Sequence, residues 1–344
     1  MVEGESRISE RAPAWAYALW PLGVLFLAVS AAKTSLTRSR GMRLGLPALS
    51  VGNLTFGGTG KTPFTIHLAR RLQAMGRNPA VLLRGYGRAV AGASLVTSGS
   101  TPESVGEEAV LLARSLPGVP VAVAERREKG AALVAGRADV LLLDDAFQHV
   151  RVRRDADLLL VDASRPGDLH APPVGRLREP LRGAGRADLV VVTRGGVSDL
   201  PPRLATRVEG VPRVGVRFEW ASAPEPASPF GSWEALRELP LVAFAGIGNP
   251  GAFFQQAREA GLRLESSLAW PDHARPGGFR LQRLLGEVER THAHAVLTTE
   301  KDHVKWAPLW PGPAPLLFPR LEAKVEDPDD HLDRILRKLV GAGP

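Results

Sequence analysis

No cysteine occurs among the 344 residues. Disulfides, thiolate metal sites and cysteine nucleophiles are therefore excluded. No segment repeats. Charge is missing from one long stretch: residues 12–32, APAWAYALWPLGVLFLAVSAA, hold no charged side chain. That is close to the ~20 residues a helix needs to cross a bilayer. Trp15, Tyr17 and Trp20 gather at one end, as interfacial aromatics do, and Pro21 and Gly23 would bend such a helix. Three readings fit: a cleaved signal peptide, with a faint cleavage-like Ala-Val-Ser-Ala; a buried core helix; or a membrane anchor. The leader lacks a basic n-region, which disfavours the first. Directly after the run come Lys33, Arg38, Arg40 and Arg43, a basic cluster suited to anionic headgroups on the cytoplasmic side of an anchor.

Acidic residues are the scarcer charge. Lys and Arg number 44 against 36 Asp and Glu, giving a formal net charge of +8. That balance suits an anionic partner, whether nucleic acid, an acidic membrane face or a phosphorylated substrate, or else a mildly basic solvated surface. The chain is long enough for two domains and a sizeable core.

What organises the chain is residues 47–72, PALSVGNLTFGGTGKTPFTIHLARRL. It reads as a strand, a glycine-rich loop and a helix. Pro63 falls in the first helical turn, where a missing N–H costs little. A glycine loop entering a helix cradles phosphate, because its amides point inward, the helix dipole favours negative charge, and a lysine adds a mobile cation. The candidate nucleotide-binding segment runs through Thr55, Phe56, Gly57, Gly58, Thr59, Gly60, Lys61 and Thr62. Thr62 stands where such loops bind magnesium. Thr55 occupies the first glycine position of the usual pattern, so the match is incomplete. A secreted protein with such a loop would find no ATP, which again favours the anchor over the signal peptide.

Beyond the loop, apolar strands are expected at 80–83, 120–124, 140–143, 158–161 and 189–192, with helices at 105–116 and 126–135. This alternation points to a mainly parallel sheet. Chemistry collects at the strand ends. Strand 80–83 runs into Arg84-Gly85-Tyr86-Gly87-Arg88, a basic turn where open α/β sheets bind ligands. Strand 140–143 ends in Asp144-Asp145, the position of the magnesium-holding acids in phosphate-loop enzymes. Glu107 and Glu108 open a helix, where helix-dipole complementarity alone would explain them. A boundary rich in Pro, Ala and Ser covers 221–232. Past it come strands at 241–245 and 295–298, helices at 252–260, 279–291 and 329–339, an Asp272-His273 pair in a loop, and Thr299-Glu300-Lys301-Asp302 at a strand end. The division expected is an N-terminal membrane-associated segment at 1–34, a phosphate-loop kinase domain at 35–232 and a smaller α/β domain at 233–344. Guanine-specific proteins usually carry Asn-Lys-x-Asp. Here Lys301 and Asp302 are adjacent, so GTP is disfavoured.

Taken in order, VGNLTFGGTGKTP, RGYGR, DDAFQH, GRLREP, AGIGNP, PDH and TTEKDHVKW make the sequence resemble the tetraacyldisaccharide 4′-kinases of lipid A biosynthesis. The matching stretches reach from Val51 to Trp306. The resemblance implies an α/β, phosphate-loop NTPase-like fold with a second, smaller α/β domain. It implies transfer of the ATP γ-phosphate, with magnesium, to the 4′-hydroxyl of a tetraacyldisaccharide 1-phosphate at the cytoplasmic face of the inner membrane. Catalysis would fall to Glu107, Asp144, Asp145 and His273; metal holding to Thr62, Glu108 and Asp144; substrate binding to Arg84, Tyr86, Arg88 and Arg178. The partners expected are the lipid and the membrane surface, with no nucleic acid and no obligate protein partner. This chain departs from the family at Glu107, where Asp is usual and is regarded as the base; at Ala146, where Gly is usual; and at Ala274, where a second His is common. The competing reading is a phosphate-loop switch or delivery NTPase at the membrane.

Overall fold

The computed structural model describes residues 13–38, 41–226 and 230–341. Arg40 of the basic cluster, the first residue of the apolar run, and residues 227–229 of the boundary lie outside them. The chain forms two compact units: Met1–Lys61, Leu143–Arg217 and Val325–Pro344 make one, Thr62–Leu142 and Phe218–Lys324 the other. The units interleave along the chain, unlike the consecutive blocks at 35–232 and 233–344 read from composition. Composition registers a linker, but it carries no sign of a chain that returns, as the closing helix His331–Gly341 does by falling in the first unit.

In the first unit, strands Ala48–Asn53, Ala156–Asp162, Leu189–Thr193 and Arg213–Trp220 pair in parallel in that spatial order, with Gly52 opposite Leu159 and Val191 opposite Val214. The first and third are buried along their whole length, the signature of a parallel sheet covered on both faces. One face packs on Phe147, Leu169, Leu177, Leu200 and Leu204.

In the second unit, strands Pro79–Leu83 and Val121–Val123 pair in parallel, and the short Ser94–Leu95 runs antiparallel at the edge. A separate four-stranded sheet, all parallel, runs in the order Leu264–Ala269, Leu241–Ala245, Ala295–Leu297, Leu316–Leu317. Alternation along its central strand divides the core. Leu241, Ala243 and Ala245 face Trp233, Phe253 and Phe254, while Val242 and Phe244 face Trp270, Leu284 and Trp306. Trp306 lies parallel to Trp270, their ring centres 4.7 Å apart, and tilted against Phe244 at 4.8 Å.

The expected helix at 105–116 is two helices, Pro102–Val105 and Glu107–Ser115. Gly106 separates them with φ of 96°, a backbone that a residue with a Cβ adopts only under strain. The apolar N-terminal run also breaks, into Ala14–Ala18 and Trp20–Arg38, with Pro21 in the first turn of the second helix. Only 6% of the window Trp20–Thr37 is buried, which rules out a core helix. Trp15, Trp20, Leu22, Leu25, Phe26 and Val29 are all exposed. The side facing the protein is narrow: Leu27 packs on the core of the first unit, and Ser30 donates to the carbonyl of Arg178 at 2.9 Å.

Candidate active site

Two groups of polar residues are assembled, one in each unit. The first surrounds the glycine loop. Lys61 opens helix Lys61–Ala74, and its ammonium lies 3.3 Å from Asn53 Oδ1 and 3.4 Å from Asp145 Oδ1. Asn53, at the end of its strand, also donates to the Thr55 carbonyl at 2.8 Å, so one amide fixes both ends of the loop's entry. Thr55 is buried and bridges Leu177, while the Phe56 amide donates to the Arg176 carbonyl and the Arg178 amide to the Leu54 carbonyl. The Gly-Arg-Leu-Arg-Glu-Pro segment is thus stitched along the loop. Gly57, with φ of 116°, has Arg176 Nη1 where its Cβ would point, 3.1 Å away. On the far side, Thr193 donates to the Thr59 carbonyl at 3.2 Å, and Arg194 donates to that of Gly58 and to Asp162.

Asp144 and Asp145 end strand Val140–Asp144 differently. Asp144 is buried. Asp145 has a positive φ of 48°, and strained backbone of this kind gathers at functional sites. It turns its carboxylate to Arg178, whose Nη1 lies 2.8 Å from both oxygens. Burial pushes the Asp145 carboxyl up, but the Lys61 and Arg178 charges and hydrogen bonds outweigh it and hold it below the usual range. Arg178 lies over the Phe56 ring at 5.1 Å. Behind this layer a buried pair holds the acidic turn. Arg186 binds Glu179, donates to the Phe147 carbonyl and covers the Phe147 ring at 3.8 Å, and Gln148 bridges Glu179 to the Asn53 carbonyl. Gly52 is required here, since any Cβ would come within 2.6 Å of that of Phe147.

The second group lies in the other unit. Glu107 begins its helix directly after Gly106, and its Oε2 is 3.2 Å from His273 Nδ1. His273, with φ of 60°, follows the strand Leu264–Ala269 in a tight loop. Its Nε2 lies 3.3 Å from Lys301 Nζ, and Asp272 Oδ1 is 3.6 Å from the same ammonium. With Nδ1–H donated to Glu107, Nε2 presents its lone pair to Lys301. Burial works to raise the Glu107 pKa, but the His273 hydrogen bond and the Lys305 and Lys301 charges prevail and hold the carboxyl ionised.

The structure brings Lys61, Asp145, Phe56 and Arg178 into one set of contacts, and Glu107 and His273 into another. Glu107 and His273 touch within a single unit. Arg84 and Tyr86 are exposed, Tyr86 at 87%. Arg88 turns back on the Gly92 carbonyl and lies 3.6 Å from Glu125. Glu108 is half-buried beside Glu107, and Ala146 and Ala274 are buried, the latter among the aromatic core. Sequence reasoning passed over Asn53, Gln148, Glu179, Arg186, Arg194 and Lys305. Asn53 carried a signal, the polar residue closing an otherwise apolar strand just ahead of the loop.

For magnesium, the Thr62 hydroxyl and the Asp144 carboxylate are hard oxygen donors. Among the described residues no three His, Asp or Glu side chains cluster as a metal cage. One or two protein oxygens completed by phosphate oxygens is the usual way magnesium is held, and the donors fit that mode.

A glycine cradle with its lysine against an acidic strand end defines a phosphate-loop nucleotide-binding protein. Within that class, the sequence model described as LpxK: Tetraacyldisaccharide-1-P 4'-kinase matches residues 15–340, and the chain belongs to that family. It is 38% identical over 343 residues to the Tetraacyldisaccharide 4'-kinase of Pelobacter propionicus, covering 93% of this chain and 92% of that one. It is 37% identical over 352 residues to the protein of that name from Anaeromyxobacter sp. strain Fw109-5, covering 96% and 94%. Among solved structures it resembles the "apo" form of LpxK from Aquifex aeolicus in complex with ATP, with a TM-score of 0.74 and 27% identity over 94% of this chain and 99% of that one. The switch or delivery NTPase reading is set aside.

Proposed function

We propose that this chain phosphorylates the 4′-hydroxyl of a tetraacyldisaccharide 1-phosphate with ATP, as the names of its relatives describe for them, and that Glu107 is the base that accepts the hydroxyl proton. The observation that carries the second part is the 3.2 Å contact between Glu107 Oε2 and His273 Nδ1. His273 and Lys305 both approach Oε2, which leaves Oε1 to face the acceptor. As the acceptor oxygen forms its bond to the γ-phosphorus, the bond from that phosphorus to the β,γ-bridging oxygen breaks and ADP leaves. The hydroxyl proton passes to Glu107, and the His273 N–H holds the carboxylate in place while it does so. The loop amides and Lys61 neutralise the charge on the transferring phosphoryl group. Thr62 and Asp144 would hold magnesium, which supplies further neutralisation of the phosphate oxygens. Glu108, half-buried next to Glu107, is our third candidate ligand. Arg178, tied to the anchor helix through Ser30, is positioned for the anionic headgroup of the lipid, and Arg84 and Tyr86 are exposed for the same partner. We assign Arg88 to the loop's own architecture, with substrate contact only if it releases Glu125.

The direct test is transfer of ³²P from γ-labelled ATP to a purified tetraacyldisaccharide 1-phosphate. Labelled product retaining the 1-phosphate is expected, and its absence with a folded, ATP-binding protein would overturn the proposal.

The exposed apolar helix Trp20–Arg38 supports membrane attachment at the cytoplasmic face of the inner membrane. Deleting the residues before Lys33 is expected to move the protein from the membrane fraction to the soluble one, with any remaining attachment reversed by salt. Full pelleting of the truncated protein in high salt would place the anchor elsewhere.

A further inference from the structure

Helix Glu300–Trp306 is short, seven residues, and is fixed at both ends. Trp306 locks its C-terminus into the aromatic core with no exposed surface. At the N-terminus the Thr299 hydroxyl accepts from the Asp302 amide at 3.1 Å and donates to Asp302 Oδ2 at 2.7 Å. The same Oδ2 accepts from the Gly246 amide at 2.8 Å. Asp302 is wholly buried and therefore held by two donors on one oxygen. Its other oxygen lies 3.0 Å from the ammonium of Lys305, one turn along. Lys305 is itself 93% buried, with only 7% of its surface exposed.

Such a lysine needs a counter-charge, because an unpaired buried ammonium is heavily penalised. Asp302 alone would meet that need. Yet the Lys305–Asp302 approach lacks hydrogen-bond alignment, since both Nζ and Oδ1 are without an aligned partner among the described residues. The ammonium also reaches to 3.6 Å from Glu107 Oε2. Glu107 comes from a different helix, Glu107–Ser115, which packs against this one and is pinned to it by the Ser115 hydroxyl donating to Glu300 at 3.0 Å. The titratable and charged groups around Glu107 are then His273 from its loop, Lys305 and Lys301 from the short helix, with Asp302 and Asp272 behind the two lysines.

We infer that Lys305 is a positioning residue for the reaction: held by Asp302, its buried ammonium draws Glu107 Oε2 to a fixed place and so aims Oε1 at the acceptor hydroxyl. His273 does this from the solvent side, half-exposed; Lys305 does it from the interior. The inference rests on Glu107 being the base. A 1 Å drift of a catalytic group costs on the order of 10²-fold, so the gain from holding Glu107 from two sides is substantial.

The test is a double-mutant cycle on the full-length protein, measuring kcat and KM for ATP by ³²P transfer to the lipid acceptor. Lys305→Met alone is expected to lower kcat by about tenfold to hundredfold with KM for ATP within about twofold. In the Glu107→Gln background the same change is expected to cost less than about threefold, because there is no carboxylate left to position. A packing role would cost the same factor in both backgrounds, and that result, or no loss in the native background, overturns the inference. If Glu107→Gln alone leaves kcat within about threefold, the base assignment falls first and the role of Lys305 with it. Should Lys305→Met lose its native circular dichroism, Asp302→Asn, which keeps the size of the group that anchors Lys305, goes through the same cycle and is judged by the same two outcomes.

Discussion

Lys61→Ala is expected to abolish ATP-dependent phosphoryl transfer, a fall of at least ~10²–10³-fold in kcat, the scale set by removing one charge-stabilising donor from a preorganised site. The lysine begins its helix with the side chain largely buried, 12% exposed, between Asn53 and Asp145. In this position it neutralises an acidic strand end and lies at the mouth of the loop where phosphate would enter. Losing it should not unfold the protein. Asp145 keeps Arg178 on both of its oxygens at 2.8 Å, and Asn53 keeps the Thr55 carbonyl. Thermal unfolding should therefore start from a near-native melting temperature but lose most of its upward shift with added ATP, since only a ligand that still binds the folded state stabilises it. A mutant with near-normal turnover, or an undiminished ATP shift combined with normal turnover, would remove Lys61 from the phosphate site.

Why so much of this site was visible in the sequence, and some of it was not, comes down to the distance over which each signal acts. The loop is a local device: glycines that admit positive φ, a lysine and a hydroxyl at fixed offsets, and a strand and helix on either side. All of it fits in residues 47–72, and Asp145 meets Lys61 because it follows directly on a strand read from an unbroken apolar run, Val140–Asp144. Strand Arg213–Trp220 escaped notice because only its middle, Val214 to Val216, is buried while Arg217 and Glu219 are exposed, so it presents no apolar run. Leu264–Ala269 is masked likewise by Glu265, Ser266 and Ser267. The break at Gly106 needed its backbone angle, since glycine in a helical pattern is ambiguous from sequence. Asp302 reads as part of the polar strand end 299–302, and Lys305 carries no reading of its own in the sequence. They proved to be the buried interior of a short helix, because Trp306 and the Thr299 cap, not the charges, decide where that helix lies. Acidic and basic residues three apart read as surface unless something beyond the sequence window buries them.

Glu107→Gln is expected to lower kcat by ~10²–10⁴-fold, the usual contribution of a positioned general base, while leaving the affinity for ATP nearly unchanged. Shape and charge both bear on this outcome. Gln has the same length and still accepts from His273 Nδ1 at the position of Oε2, so the geometry survives and only proton affinity is lost. Because the His273, Lys305 and Lys301 interactions hold the Glu107 carboxyl below its usual range against the effect of burial, the group removed is an ionised base at neutral pH and not a neutral acid. Glu107→Asp should be far milder. It keeps the charge, and the half-exposed His273 is free on its solvent side to follow a shorter partner, although Lys305, anchored by Asp302 at 3.0 Å, is not. The competing explanation is that Glu107 only complements the dipole of the helix it opens, a role worth ~0.3–1 kcal/mol of stability. In that case Glu107→Gln would lower the melting temperature slightly and leave turnover almost intact. Kinetics at saturating ATP and lipid separate the two: a change in kcat below about threefold would exclude Glu107 as the base and pass that role to His273, whose Nε2 already faces Lys301 and Asp272.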